Sequence, residues 1–257
     1  MQTTAVECEC LPTSQELLNL MTSDSDADQF RFCYLTLARG VVTGASEASN
    51  RALIQDYIAV GFKFFEAYYG DGRTQPAMKA IKTLAPHIGK VIPPKVYSPR
   101  YLIGEQLGHV TKSCLPLAVI EALKIFNATN TAHPDTLIGV LYGGLEFSLI
   151  AKNILHPAQT QFAIGIPRHL TALDDDFVNF VRDKSVLVVD DCTCTYRTLK
   201  TARDILVPMQ PSSLFAIAYS GKKYLNNYDA SSTMVALSRR LTADVALFDL
   251  LSKNQNN

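Results

Sequence analysis

The sequence has 257 residues, 47 % hydrophobic and 19 % charged, enough apolar material for a sizeable core and too much for a disordered chain. Its 24 basic and 24 acidic side chains cancel, so no bulk charge draws it to nucleic acid or to an anionic membrane. No apolar run approaches the ~20 residues of a membrane span, and the opening MQTTAVECEC, with Glu7 and Glu9, lacks a basic-then-apolar leader pattern, so a cytoplasmic protein with no nucleic-acid partner is expected.

From about Thr13 to Leu84 the pattern is helical. Leu53, Tyr57, Phe64 and Tyr68 recur near the helical period, with Ile54, Ile58 and Phe65 widening the face, and such a Phe/Tyr-rich stripe reads as core. Gly70, Asp71 and Gly72 end that helix. Gly89 to Pro99, with Pro93, Pro94 and Pro99, reads as a connection. The second half alternates. Helices are predicted over Pro116–Phe126, Leu145–Ile154, Phe177–Arg182 and Thr198–Leu206. Between them, apolar runs at Thr136–Leu141, Gln161–Ile166, Ser185–Val189 and Leu214–Tyr219 read as strands. Strands apolar on both faces and separated by helices imply a doubly wound, mainly parallel α/β sheet. The expected division is an N-terminal helical region over residues 1–111 and an α/β domain over 112–257. The Asn-rich end reads as a tail.

The six cysteines give little. Cys8 and Cys10, and Cys192 and Cys194, form C-x-C pairs, while Cys33, Cys114 and the five histidines are scattered without zinc-type spacing. Ordinary thiols are expected, with no metal held by the protein alone.

Two strand ends carry the chemistry, because ligands of open α/β sheets settle beyond the carboxyl ends of the strands. The first is Leu137-Ile-Gly-Val-Leu-Tyr-Gly-Gly144. Its glycines suit either close approach of backbone donors to an anion or tight strand-to-helix packing. The second is Val186-Leu-Val-Val-Asp-Asp-Cys-Thr-Cys-Thr-Tyr-Arg-Thr-Leu199. Here four apolar residues deliver adjacent carboxylates, suited to the vicinal hydroxyls of a sugar, and a hydroxyl-rich loop before a helix suits a phosphate monoester. A phosphorylated sugar fits both halves.

Asp190 to Thr198 resembles the phosphoribosyl pyrophosphate (PRPP) loop of type I phosphoribosyltransferases, four apolar residues, two acids and a loop ending T-G-G-T or T-G-R-T. Val140 to Gly144 is similar to that family's pyrophosphate loop. The resemblance implies that Asp190 and Asp191 form the catalytic acid pair and hold the ribose 2′ and 3′ hydroxyls. It implies too that Cys194, Thr195, Tyr196, Arg197 and Thr198 wrap the 5′-phosphate. Tyr142, Gly143 and Gly144 would meet the pyrophosphate, with Arg168 a candidate for the missing basic residue. Lys222 and Lys223 are further candidates. Magnesium would come as a substrate-bound ion.

Two departures bear on activity. Tyr142 stands where the pyrophosphate loop often has a basic residue, and Tyr196 stands where the phosphate loop has a glycine. A tyrosine in the phosphate cradle has to turn its ring away from the phosphate oxygens, and in an active enzyme the ring is expected to lean outward over the site. The implied function is a PRPP-dependent transferase with magnesium, forming or breaking an N-glycosidic bond. The alternative is a non-catalytic PRPP- or nucleotide-binding regulatory protein on the same fold. The expected partner is a phosphorylated sugar or nucleotide, with a homodimer as the further expectation. The acceptor contacts are expected from a hood of N-terminal helices and the segment Tyr224 to Leu251.

Overall fold

Thr13 opens the first helix with a reciprocal cap: its side chain accepts from the Glu16 N–H, and its own N–H donates to the Glu16 carboxylate at 2.7 Å. The computed structural model describes residues 12–47, 49–95, 114–129, 133–141, 144–166, 169–172, 177–192, 196–219 and 238–251. The chain divides into two compact units, Met1–Ser98 and Pro99–Asn257. The boundary expected after residue 111 lies outside the described residues.

Among its described residues the first unit packs four helices, α1 (Ser14–Thr22), α2 (Ala27–Glu47), α3 (Arg51–Tyr69) and α4 (Gln75–Val91). The aromatic stripe is core, as its spacing predicts. Tyr57, Phe64 and Phe65 are buried with Phe30 and Tyr34 of α2. Tyr34 and Tyr57 stack at 4.4 Å and 6°. Each hydroxyl donates to the other residue's carbonyl oxygen, at 2.9 Å from Tyr34 and 2.6 Å from Tyr57. The two helices meet this closely because Gly61 has no side chain: a Cβ there would lie 2.2 Å from the Tyr34 hydroxyl. Helix α3 ends at Gly70 as expected, whereas α4 continues through Pro86 to Val91. The predicted connection from Gly89 therefore begins three residues late, because Ile88 is buried in the helical core and holds the last turn in place.

The second unit is a seven-stranded sheet. Its elements are α5 (Cys114–Thr129), β1 (Thr136–Leu141), α6 (Leu145–Leu155), β2 (Gln159–Ile166), β3 (His169–Ala172), β4 (Ser185–Cys192), α7 (Arg197–Leu206), β5 (Ser213–Tyr219), β6 (Ser238–Arg240) and β7 (Val245–Asp249). Short 3-10 turns lie at Phe177–Phe180 and Val207–Met209. Strand order is β3-β2-β1-β4-β5-β7-β6, with β2, β1, β4 and β5 mutually parallel, β3 antiparallel to β2, and β7 antiparallel to both β5 and β6. The mainly parallel, doubly wound expectation holds, and β4 is the central strand. Its Val186, Leu187, Val188 and Val189 are all fully buried, as a strand covered on both faces requires.

One face of the sheet, with Val186, Val188, Leu214, Ala216 and Phe248, packs on Leu199, Ala202 and Leu206 of α7. On the other face, α5 sets Phe126 edge-on to Phe215 of β5, and α6 packs on β1 and β4. Polar side chains pin the amino ends of the strands. Asp135 accepts from the Ser185 N–H at 2.9 Å, and the Thr136 hydroxyl donates to the Phe180 carbonyl at 2.7 Å. Register is thus fixed at one edge, leaving the carboxyl edge for loops. Val245–Asp249, expected as part of a hood, is instead a sheet strand beside β5, where its buried Val245, Ala246 and Phe248 extend the core. Among the described residues no helix is long and apolar enough to cross a membrane.

Candidate functional site

The strand order reverses between β1 and β4. From β1 the chain passes through α6 to β2 on one side, and from β4 through α7 to β5 on the other. The helices that follow these two adjacent strands, α6 and α7, cover opposite faces of the sheet, and the space beyond the carboxyl ends of such a strand pair is the usual ligand position. Both sequence motifs lie at this point.

Backbone contact joins them. A Cβ on Gly144 would lie 2.5 Å from the Val189 carbonyl oxygen, 2.7 Å from that of Val140 and 3.1 Å from Asp190 Cα. Only glycine admits α6 this close to the end of β4. Gly144 has ordinary helical dihedrals, φ −74° and ψ −2°, and its N–H donates to the Val140 carbonyl at 3.0 Å. Of the two roles open to this glycine, close packing is the one its geometry fills, and its own N–H is already used.

The acid pair sits on an irregularity. Val189 pairs with Ile217 and Cys192 with Tyr219, so Asp190 and Asp191 together oppose Ala218 of β5. Such a bulge re-aims side chains at a strand end. Asp190 is only 5 % exposed. Thr193, Cys194 and Thr195, between the acids and α7 in the chain, lie outside the described residues. Tyr196 then takes the N-cap position of α7 with no side-chain cap, so the first-turn N–H groups from Arg197 and Thr198 onward are not claimed by one. Thr198 is half-buried in that turn.

Tyr196 departs from expectation. Its backbone is left-handed, φ 53° and ψ 5°, the conformation that a glycine takes freely. The ring does not lean outward over the site. It is 2 % exposed, in the core with Leu199 and Ala202, edge-on to Phe248 at 5.7 Å and 69°. A non-glycine residue here costs on the order of 1–3 kcal/mol, and burial of an aromatic ring offsets about as much. An outward ring would leave that strain uncompensated. The buried hydroxyl has no hydrogen-bond partner among the described residues.

Glu146 is not among the residues expected at the site. It is fully buried in the first turn of α6, where the helix dipole favours a carboxylate. An acid in the first turn of an otherwise apolar helix was the available clue. Among the described residues no group of three or more His, Cys, Asp or Glu comes together. Cys33 belongs to the helical unit, where burial pushes its thiol up to about 12. Tyr142, Gly143, Arg168, Cys194, Thr195, Lys222 and Lys223 lie outside the described residues, as do the side chains of Asp191 and Arg197.

No protein-family model matches the sequence, and no curated protein does. Solved structures do. A purine phosphoribosyltransferase from Pyrococcus horikoshii Ot3 is 20 % identical over 43 % of this chain and 75 % of its own, with a TM-score of 0.35. A hypoxanthine-guanine phosphoribosyltransferase from Bacillus anthracis is 18 % identical over 43 % of this chain and 68 % of its own, at 0.36. The hypoxanthine phosphoribosyltransferase of Trypanosoma cruzi, in complex with the product IMP, is 17 % identical over 43 % and 70 %, at 0.34. This likeness is one of fold alone and spans less than half of the chain.

Proposed function

We propose that the crevice between β1 and β4 binds a phosphorylated ribose, PRPP or a related ester, and that the chain is a phosphoribosyltransferase-like enzyme. The observation that carries this reading is the acid pair Asp190–Asp191, set on a bulge at the end of the central strand, immediately before a helix with no side-chain cap. Carboxylates accept hydrogen bonds from vicinal hydroxyls and are repelled by phosphate, so the ribose belongs on β4 and the phosphate on α7. The first-turn N–H groups of α7 would hold the 5′-phosphate.

Catalysis in such a site is positioning. Holding the sugar by its hydroxyls and phosphate fixes C1 relative to an incoming nitrogen nucleophile while the bond to pyrophosphate breaks. Magnesium would enter with the substrate's own oxygens and neutralise the leaving group. Tyr142, Gly143 and Arg168 are the proposed pyrophosphate contacts, with Gly144 setting how close they come to β4. Cys194, Thr195 and Arg197 remain proposed phosphate contacts, and Tyr196 could contribute only its backbone. One observation favours the non-catalytic alternative: the Gly144 N–H, a donor the leaving pyrophosphate would use, is bonded to Val140.

Calorimetric titration of PRPP with magnesium, followed by a nucleobase screen for pyrophosphate release, tests both readings. Binding with release supports the enzyme, and binding without release supports the regulatory protein. Changing Asp190 and Asp191 to Asn should weaken PRPP binding by about 3–6 kcal/mol, since each hydrogen bond to a charged group contributes about 1.5–3 kcal/mol. Unchanged affinity in the folded double variant overturns the role of the acid pair. If the double variant does not fold, Asp191→Asn alone decides.

A further inference from the structure

We propose that Tyr196 is a positioning residue whose buried ring holds the corner leading into α7 in its left-handed conformation before any ligand arrives. The inference rests on the sugar-phosphate reading only for what the corner would bind. Glycine would adopt φ 53° as one state among many, whereas a tyrosine stays there only where its surroundings over-determine it. Those surroundings are Leu199, Ala202 and the edge-on ring of Phe248, and they bury the side chain almost completely. The hydroxyl makes no hydrogen bond among the described residues, so the ring does the holding there.

What is held is the start of the helix. The Tyr196 carbonyl accepts from the Lys200 N–H at 2.8 Å, and its ψ of 5° sets where the next N–H, that of Arg197, points. Rotation at this residue would swing the phosphate-facing donors. Apparent affinity falls in proportion to the fraction of molecules in the competent state. A corner anchored by a ring keeps that fraction high without ligand, and the cradle for a phosphate monoester is preformed.

The test uses the full chain with Tyr196→Phe, Tyr196→Gly and Phe248→Leu. Amide exchange over residues 196–200 is measured without ligand, and ribose 5-phosphate is titrated by calorimetry. Tyr196→Phe should bind as the native protein does and exchange no faster. Tyr196→Gly should speed exchange and weaken binding by about tenfold or more while far-ultraviolet circular dichroism is retained. Phe248→Leu lies outside the proposed site and should move both readouts the same way by a smaller factor. Native exchange as fast as that of Tyr196→Gly overturns the proposal, as does equal affinity in Tyr196→Gly and Tyr196→Phe. If the native chain does not bind ribose 5-phosphate, the sugar-phosphate reading fails and the exchange comparison alone decides the anchor. Should Tyr196→Gly not fold, Phe248→Leu carries the test, and native-like exchange in it overturns the proposal.

Discussion

The two units differ in how they seat a buried tyrosine. In the helical unit the N–H groups of Glu16, Gln29 and Leu53 are capped by Thr13, Asp26 and Asn50, and the buried hydroxyls of Tyr34 and Tyr57 each reach a carbonyl. In the α/β unit, α6 and α7 begin at Gly144 and Tyr196 with no side-chain cap, and the buried Tyr196 hydroxyl, on a left-handed backbone, has no partner among the described residues. Helix α4 of the helical unit also starts at Thr74 without a side-chain cap, and its Ser25 hydroxyl is buried without a partner, but among the described residues only at Tyr196 does an unpartnered buried hydroxyl coincide with a left-handed backbone.

The largest test of this contrast is Gly144→Ala. The new methyl would meet three backbone atoms that cannot give way, so a loss of about 3–4 kcal/mol is expected in denaturant unfolding, above the common cost of overpacking. Gly61→Ala meets the tip of a side chain instead. Displacing the Tyr34 hydroxyl from its acceptor should cost about 2 kcal/mol, a smaller effect because one side chain can shift. Equal losses in the two variants would break the contrast between a rigid backbone seam and an adjustable aromatic one.

Alkaline pH probes the helical core. Burial raises the Cys33 thiol from 9.0 to about 12, and burial raises Tyr34 and Tyr57 above the usual tyrosine value as well. These groups stay neutral when folded and ionise when unfolded, so the unfolded chain binds fewer protons as pH rises and stability falls. The Cys33 contribution is intact below pH 9.0 and is lost progressively up to about 12, with the tyrosines adding to the loss above their ordinary value of 10.0. At one unit above the ordinary thiol value the loss from Cys33 is about 1.4 kcal/mol. Denaturant melts across this range should show the decline, and Cys33→Ala should remove its first part. A native profile that stays flat through this window would place these groups in contact with water.

Sequence carried the frame of the sheet because its rules are local. Val186–Val189, apolar without alternation, could only be a strand covered on both faces, and it is the central one. Short antiparallel flanks were missed. His169–Ala172 is four residues with no clear period, and Val245–Asp249 is a strand only because β5 lies beside it. The bulge at Asp190–Asp191 is likewise a relation between two strands, which no single strand reveals. Tyr196 was legible as an anomaly in its motif. Its ring position was not, because that depends on Phe248, which is distant in sequence and opposite in the fold. Pro86 shows the reverse: a residue that usually ends helices is overruled by burial of Ile88 beyond it.

The finest test removes one oxygen atom from each unit. Tyr34→Phe deletes a hydroxyl that donates at 2.9 Å to the Tyr57 carbonyl, and losing that hydrogen bond should cost about 1 kcal/mol. Tyr196→Phe deletes a hydroxyl that is buried with no partner, so the burial penalty disappears and the protein should gain about 1 kcal/mol. The ring, its edge-on contact with Phe248 and the left-handed backbone all remain, so nothing offsets the gain. In thermal unfolding the midpoint should move down by about 4–8 °C for Tyr34 in the smaller unit and up by about 2–4 °C for Tyr196 in the larger one. Opposite signs from the same substitution would show that the helical core is built for satisfaction and the corner of α7 for conformation. A loss at Tyr196 equal to that at Tyr34 would mean that its hydroxyl has an acceptor in solution, and the contrast between the two tyrosines would be lost.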